Sequence, residues 1–96
     1  MHKHGYVYIL GSKTGVLYIG VTSDIVARIW EHKNHVYAQS FTSKYEVTKL
    51  LFFEEFENIE DAIYREKQLK NWHREWKLNL ISYINPEFSD LYESLL

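Results

Sequence analysis

The chain has 96 residues, of which 46% are hydrophobic and 25% charged, and this length and balance predict one globular domain spanning residues 1–96. It contains no cysteine, which excludes disulfides, thiolate nucleophiles and cysteine-based zinc sites and fits a reducing compartment. The net charge of -2 argues against strong non-specific binding of nucleic acid, because contacts with phosphate need lysine and arginine. The first residues show no secretory signal, and no apolar run approaches the roughly 20 residues of a membrane span. We therefore expect a cytoplasmic protein with no membrane partner.

Three runs of β-branched, aromatic and aliphatic residues predict strands. Residues 6–10 and 16–19 are joined by the turn-rich loop 11–15, which is typical of a β-hairpin. Residues 47–53 predict a third strand that is buried towards its end.

The loop also suggests a register for the hairpin. If Leu10 faces Val16, then Tyr8 faces Tyr18, and side-chain alternation puts Gly20 on the face that carries both tyrosines. A glycine there would leave the backbone open to close approach by a ligand or another chain. The two tyrosines are either half-buried packing or groups that orient or deprotonate a water molecule.

A helix is predicted over residues 25–34, because residues 22–24 (Thr-Ser-Asp) are typical of an N-cap. Arg28 and His32 stand four residues apart and share one edge of this helix. They are either a solvated helix edge or a functional pair, in which arginine binds phosphate and histidine transfers protons. The apolar face of the helix predicted over residues 25–34 consists of Ile25, Val26, Ile29 and Trp30. An exposed loop is predicted over 35–45.

A second helical region begins near Ile59, with a predicted break at 71–73 and an end at 85–87 (Asn-Pro-Glu). Glu66 and His73 fall inside its apolar stripe. The other members of the stripe are Ile59, Ala62, Ile63, Leu69, Trp76 and Leu80.

Glu66 is the most informative polar residue of this stripe. A carboxylate on an apolar helix face is costly to bury without a partner. A salt bridge to Arg28 or an accident of patterning would explain its position. It could equally be a ligand of Mg²⁺, which binds proteins through one or two carboxylates, together with waters and a substrate phosphate.

Charged residues are unevenly distributed along the second half of the chain. Residues 54–61 are acidic, whereas 65–77 carry five lysines and arginines against two glutamates. This basic stretch is either a solvated helix face or a contact for phosphate. Its candidate substrate-binding residues are Lys67, Lys70 and Arg74.

Five of these positions together resemble the GIY-YIG nuclease superfamily. The first signature matches residues 6–8 (Tyr-Val-Tyr), and the second is intact at residues 18–20 (Tyr-Ile-Gly). Ten residues after Tyr18 the family places an arginine, and four further on a histidine or tyrosine. The metal-binding glutamate of a later helix matches the fifth position. The matching site residues are Tyr8, Tyr18, Arg28, His32 and Glu66.

The resemblance implies an α/β (α+β) fold in which a small three-stranded antiparallel sheet is flanked by helices, with the active site on one sheet face. It implies a metal-dependent endonuclease that hydrolyses phosphodiester bonds in DNA, structure-specific or acting in repair. Glu66 would hold Mg²⁺ or Mn²⁺, and Arg28 would stabilise the transition state. Tyr18 or His32 would take the proton of the attacking water, and Tyr8 would orient Tyr18 or the water. Gly20 would join the lysines and arginine in binding substrate.

Two departures from the family pattern keep other functions open. Tyr6 replaces the first glycine of the motif, with Gly5 just before it, and Val21 stands where some members carry a lysine. One alternative is a nucleic-acid-binding module with the same fold but little catalysis. The other is a protein-interaction domain that uses the acidic stretch and the aromatic surface. We expect a monomer or a weak homodimer.

Overall fold

The computed structural model describes residues 4–96, so residues 1–3 of the predicted domain lie outside the described part. A three-stranded antiparallel sheet has the order β2-β1-β3, with helices on both faces, and this confirms the predicted fold class. Within residues 4–96, no helix combines the length and apolar character needed to span a membrane. The elements are β1 (Gly5–Gly11), β2 (Leu17–Thr22), α1 (Ile25–Lys33), α2 (Phe41–Lys44), β3 (Lys49–Phe56), α3 (Ile59–Lys70), α4 (Arg74–Ile84) and a 3-10 helix (Tyr92–Leu95).

The hairpin register differs from the predicted one by two residues. Tyr8 pairs with Gly20, and Leu10 pairs with Tyr18 rather than with Val16. The reason lies in the loop, where the Ser12 hydroxyl accepts the backbone N–H of Val16 at 3.0 Å and withdraws it from the ladder. A shift of two residues leaves every side chain on its predicted face, because alternation along a strand has a period of two.

The two faces of the sheet carry separate cores. On the α3 face, Val7 and Ile9 of the central strand pack with Leu69 of α3 and Ile81 of α4. On the opposite face, which we call the tyrosine face, the alternate residues of β1 and β2 pack against α1 and the 3-10 helix. The buried members of that second core are Tyr8, Leu10, Ile25, Ile29, Val47 and Leu50.

Helix α1 begins as predicted, because the Asp24 carboxylate accepts the backbone N–H of Ala27 at 3.2 Å and caps the first turn. Its apolar face is narrower than predicted. Ile25 and Ile29 are buried, whereas Val26 is 36% and Trp30 52% exposed. The core partners of α1 all lie on the tyrosine face, so only the helix residues that point towards that face are buried. The predicted loop 35–45 also proves partly helical, since it contains α2.

The predicted break at 71–73 is confirmed, since α3 ends at Lys70 and α4 begins at Arg74. Beyond the break the predicted stripe holds only in part, since Leu80 packs against the core of the α3 face whereas Trp76 and His73 do not. Trp76 is 52% exposed, and His73 is an exposed N-cap rather than a core residue. Ile63, within α3, is also 36% exposed. The stripe that is buried in α3 therefore reduces to Ala62 and Leu69.

Candidate functional site

Gly20 provides the space in which the Tyr8 ring lies. A β-carbon at this position would stand 2.4 Å from both Cζ and the hydroxyl oxygen of Tyr8. The space that the sequence left open to a ligand or another chain is thus filled by a side chain of the protein, and a contact of Gly20 with substrate stays a prediction. Gly20 belongs to the edge strand β2. The Tyr8 ring lies across this strand at Gly20, so the Tyr8 hydroxyl is at the edge of the sheet.

Gly20→Ala is expected to destabilise the fold by about 1–3 kcal/mol, the usual cost of overpacking a core. The added methyl group would force Tyr8 aside and break the hydrogen bond of its hydroxyl. Urea unfolding of the single variant and of the same change in a Tyr8→Leu background measures this. The cost should fall sharply in the second background, because the ring that meets the methyl group is gone. Equal costs in both backgrounds would contradict the assignment.

His32 is the centre of a buried hydrogen-bonded chain. Its Nε2 lies 2.9 Å from the Tyr8 hydroxyl, and its Nδ1 lies 2.9 Å from Oγ1 of Thr42. The histidine residue is 6% exposed and Thr42 is 2% exposed. A neutral imidazole, with one donor and one acceptor nitrogen, satisfies both contacts. His32 is therefore not on a solvated helix edge, which settles that alternative.

Burial sets the protonation of this chain. It lowers the pKa of His32 to about 4, with a further decrease from the Arg28 guanidinium that Glu31 partly opposes. Burial also raises the pKa of Tyr8 to about 12, while nearby Arg28 opposes the rise and the charges of Tyr18 and Glu66 add to it. At neutral pH both His32 and Tyr8 are uncharged.

His32 is expected to make stability depend on pH. Its folded pKa of about 4 lies below the ordinary 6.5, so the unfolded chain takes up the proton first. The contribution of the neutral ring is complete above about pH 6.5, falls as the pH falls, and is lost by about pH 4. It amounts to about 3 kcal/mol. Urea unfolding of the parent and of His32→Gln between pH 7.5 and 4.5 measures it, and identical pH slopes in the two proteins would contradict it.

Tyr18 and Arg28 line a cleft of about 190 Å³ beside His32. The Tyr18 ring stacks on Phe41 at 6.3 Å between centroids, and its hydroxyl has no hydrogen-bond partner among the described residues. Arg28 pairs with Glu31 at 3.0 Å and lies 5.5 Å from the ring centroid of Tyr37. The cleft is lined by Tyr18, Arg28, Glu31, His32, Tyr37, Ser40, Phe41, Thr42 and Ser43.

Arg28 remains a cation in this setting. Partial burial lowers the pKa of its guanidinium, but hydrogen bonding to Glu31 and Tyr8 outweighs the burial and leaves the pKa raised. Only one of its terminal nitrogens is used in the contact with Glu31, and a guanidinium carries five N–H donors. Arg28 can therefore bind an oxyanion in the cleft while it keeps its partner.

Glu66 approaches the site from the other side of the sheet. Helix α3 packs on the α3 face, yet the charge of Glu66 contributes to the raised pKa of Tyr8. The helix that carries Glu66 therefore lies on the face opposite Tyr8, so the five predicted site residues do not all come from elements on one face of the sheet. The side chain of Glu66 is 15% exposed and pairs with Lys70 at 3.4 Å. The salt bridge to Arg28 that the sequence left open does not form, since Arg28 pairs with Glu31.

The donor set suits a lightly coordinated divalent cation. Across residues 4–96, no three histidine, aspartate or glutamate side chains converge into a metal cage. Mg²⁺ does not require one, because it keeps several waters and is commonly held by one or two carboxylates and substrate phosphates. Glu66, whose side chain is partly exposed, fits that mode of binding. The residues present do not fit a dedicated zinc site.

The predicted substrate contacts of the basic stretch lie apart from the cleft. Lys70 pairs with Glu66, and Arg74 donates to the carbonyl of Gly15 in the hairpin loop. Lys67 is exposed on α3. The described residues that line the cleft include none of these three cations, so their contact with substrate remains a prediction.

Two members of the site were missed in the sequence. Thr42 orients His32, and Glu31 orients Arg28. Thr42 falls in the predicted loop 35–45 and was therefore not considered as a site residue. Ser40, which accepts the backbone N–H of Ser43, is a typical N-cap residue and is the signal that could have indicated α2. Glu31 lies three residues after Arg28, a spacing that places the two on one helix face.

Known proteins resemble the chain across this whole arrangement. Residues 4–79 match the family described as the GIY-YIG catalytic domain. The UPF0213 protein of Staphylococcus saprophyticus is 39% identical over 82 residues, which cover 85% of this chain and 98% of that protein. The UPF0213 protein of Clostridium perfringens is 43% identical over 77 residues, with coverages of 80% and 82%.

A solved structure shows the same fold. The solution NMR structure of a UPF0213 protein from Bacillus halodurans superposes with a TM-score of 0.59 at 29% identity, and covers 91% of this chain and 92% of that one. The matched span of residues 4–79 contains every residue of the site from Tyr8 to Glu66.

Proposed function

The chain belongs to the GIY-YIG family of catalytic domains, and from this premise we propose that it is a metal-dependent endonuclease that hydrolyses phosphodiester bonds in DNA. The observation that carries the proposal is the meeting of Tyr18, Arg28 and His32 at one cleft, with the buried Tyr8 hydrogen-bonded to His32 behind it. Packing alone does not require a cation, a neutral histidine and a carboxylate at one sheet edge.

Glu66 would hold the divalent cation, Mg²⁺ or Mn²⁺. When bound, such an ion polarises a phosphoryl oxygen and neutralises charge on the leaving group. Lys70 pairs with the Glu66 carboxylate at 3.4 Å, and since the Lys70 side chain is 53% exposed, water can take over its ammonium group when a cation binds the carboxylate.

Arg28 would bind the scissile phosphate and stabilise the charge that develops on it. Its pairing with Glu31 at 3.0 Å holds the guanidinium in the cleft, and the planar fork of its remaining N–H donors suits two oxygens of a phosphate. Donors placed in advance where charge develops supply much of the rate enhancement in enzymes.

Tyr18 is the group that would orient the attacking water and accept its proton. The sequence left Tyr18 and His32 as alternatives for this role. Both nitrogens of His32 are engaged and the residue is 6% exposed, which favours Tyr18 for this role. Tyr18 lines the cleft, and its hydroxyl has no partner among the described residues. His32 instead holds Tyr8, which packs beside Tyr18 at 6.4 Å between ring centroids.

A nucleic-acid-binding module with little catalysis is the second candidate function. It is favoured by Val21 at a position where some relatives have lysine, and by the pairing of Arg28, Arg65 and Lys70 with carboxylates. That module would bind DNA without cleaving it. A structure-specific substrate and a role in repair belong to the first proposal.

The test is nicking of supercoiled plasmid by the purified chain in Mg²⁺, in Mn²⁺ and in EDTA. We expect conversion to open circles that needs the metal and co-elutes with the 11.6 kDa protein in gel filtration. A mock purification controls for contaminating nucleases. Binding of DNA without nicking, on intact plasmid and on nicked or branched duplexes, would replace the proposal with the binding module.

A further inference from the structure

An exposed row of aromatic rings leads away from the cleft. Tyr18 stacks on Phe41 with 6.3 Å between centroids and 28° between planes, and Phe41 lies 4.9 Å from Tyr45. Phe41 is 46% and Tyr45 55% exposed. We call these three residues the aromatic row. Tyr18 lies on β2, Phe41 begins α2 and Tyr45 is the C-cap residue of that helix, so all three rings are carried by regular elements or their caps.

Polar and cationic groups accompany the row at both ends. At the cleft end, Arg28 faces the ring of Tyr37 at 5.5 Å, on another wall of the same cleft. At the far end, Tyr45 borders a shallow pocket of about 220 Å³. That pocket is lined by Ser12, Lys13, Thr14, Tyr45, Glu46, Thr48 and Lys49.

This combination matches the chemistry of a single nucleic-acid strand. Proteins hold unpaired strands by stacking successive bases on aromatic rings, while cations follow the phosphates. In a duplex, bases are stacked on each other and offer no free face to a ring that approaches from the side. The lysines at one end of the row and Arg28 at the other are placed to meet the phosphates on either side of stacked bases.

We propose that the aromatic row binds unpaired nucleotides beside the scissile phosphate, so that the substrate is DNA with a single-stranded stretch next to the cleaved bond. The assignment of the scissile position rests on the proposed function. The binding of unpaired nucleotides does not, because it depends on Phe41 and Tyr45, which take no part in hydrolysis.

A protein partner would use the row differently. It would need a wide apolar face, whereas the row is narrow, opens into a cleft that contains Arg28 and His32, and ends between Lys13 and Lys49. Among the lining residues of the far pocket, Glu46 is the one carboxylate against two lysines. In the cleft Arg28 is matched by Glu31, so the excess positive charge that favours a polyanion lies at the far pocket.

The test is fluorescence anisotropy with a labelled 12-nucleotide dT strand and a blunt duplex of the same length, in EDTA so that no hydrolysis occurs. We expect the parent to bind the single strand more tightly than the duplex. Phe41→Ala and Tyr45→Ala should each weaken single-strand binding roughly 5- to 100-fold, the loss typical of one base–ring stack. Tyr45→Phe, which keeps the ring, should bind the single strand like the parent. Tyr45→Leu, which keeps only the apolar surface, should bind it as weakly as Tyr45→Ala.

Tyr83→Ala is the matched control, because Tyr83 lies on α4 and is 88% exposed. The proposal is overturned if the alanine variants bind the single strand like the parent, or if Tyr45→Leu binds as well as Tyr45→Phe. It is also overturned if the duplex binds as tightly as the single strand and with the same dependence on these rings. A protein that binds the single strand through the row and nicks no DNA would support the binding of unpaired nucleotides and refute both the endonuclease and the assigned position of the cleaved bond.

Discussion

Replacing Glu66 by glutamine is expected to reduce metal-dependent nicking by roughly 10³-fold, at the upper end of the effect of losing one transition-state contact. Glutamine has the same size and keeps a carbonyl oxygen, but it lacks the negative charge that holds a divalent cation. The rate of open-circle formation, measured at a series of Mg²⁺ and Mn²⁺ concentrations, gives the effect. The variant should also need far more metal for its residual activity.

Folding should be little affected by this change. The side chain of Glu66 is 15% exposed and its pairing with Lys70 spans one helical turn, a kind of contact that contributes about 0.3–0.5 kcal/mol. Glu60→Gln is the matched control, because Glu60 is an exposed acid on the same helix. Nicking by Glu66→Gln at the parent rate and with the parent metal dependence would remove Glu66 from the site.

The element order follows from local sequence patterns. Alternating β-branched and aromatic residues set β1 and β2, and Asp24 marks the start of α1. The break after Lys70 was likewise visible in the sequence. These features depend on residues close in the chain, which is why they could be predicted without knowledge of the packing.

The surroundings of the site residues depend on contacts between distant parts of the chain. His32 stands on a helix edge that looks solvated in sequence, and it is buried because α2 brings Thr42 against it. Glu66 stands on a helix that packs on the opposite face of the sheet from Tyr8 and His32. Neither the side of the sheet nor its edge can be read from periodicity alone.

The role of Gly20 illustrates the same limit. A glycine in a strand indicates close approach of some group to the backbone, but the sequence does not show whether that group is a ligand or another part of the protein. The two-residue difference in register places Tyr8, and not Tyr6, opposite this glycine. The ring that fills the space is consequently the one that bonds to His32.

Replacing Arg28 by alanine is expected to lower the rate of nicking by about 10²–10³-fold, because the cleft loses the donor that stabilises the developing phosphate charge. Single-turnover nicking at saturating protein separates this loss from weaker DNA binding. Arg28→Lys should recover only a part, since an ammonium group keeps the charge but lacks the planar fork of donors. Arg65→Ala is the matched control, because Arg65 pairs with Glu54 and lies over Trp72.

The same substitution has a second consequence that does not depend on catalysis. Arg28 lowers the pKa of His32, so its removal should move that pKa upward, towards the ordinary value. NMR titration of the His32 imidazole in parent and variant measures the shift. A raised His32 pKa together with slow nicking would show that Arg28 acts in the cleft on both the histidine and the phosphate. An unchanged pKa would mean that the guanidinium does not face His32, and an unchanged rate would mean that phosphate is bound by another cation.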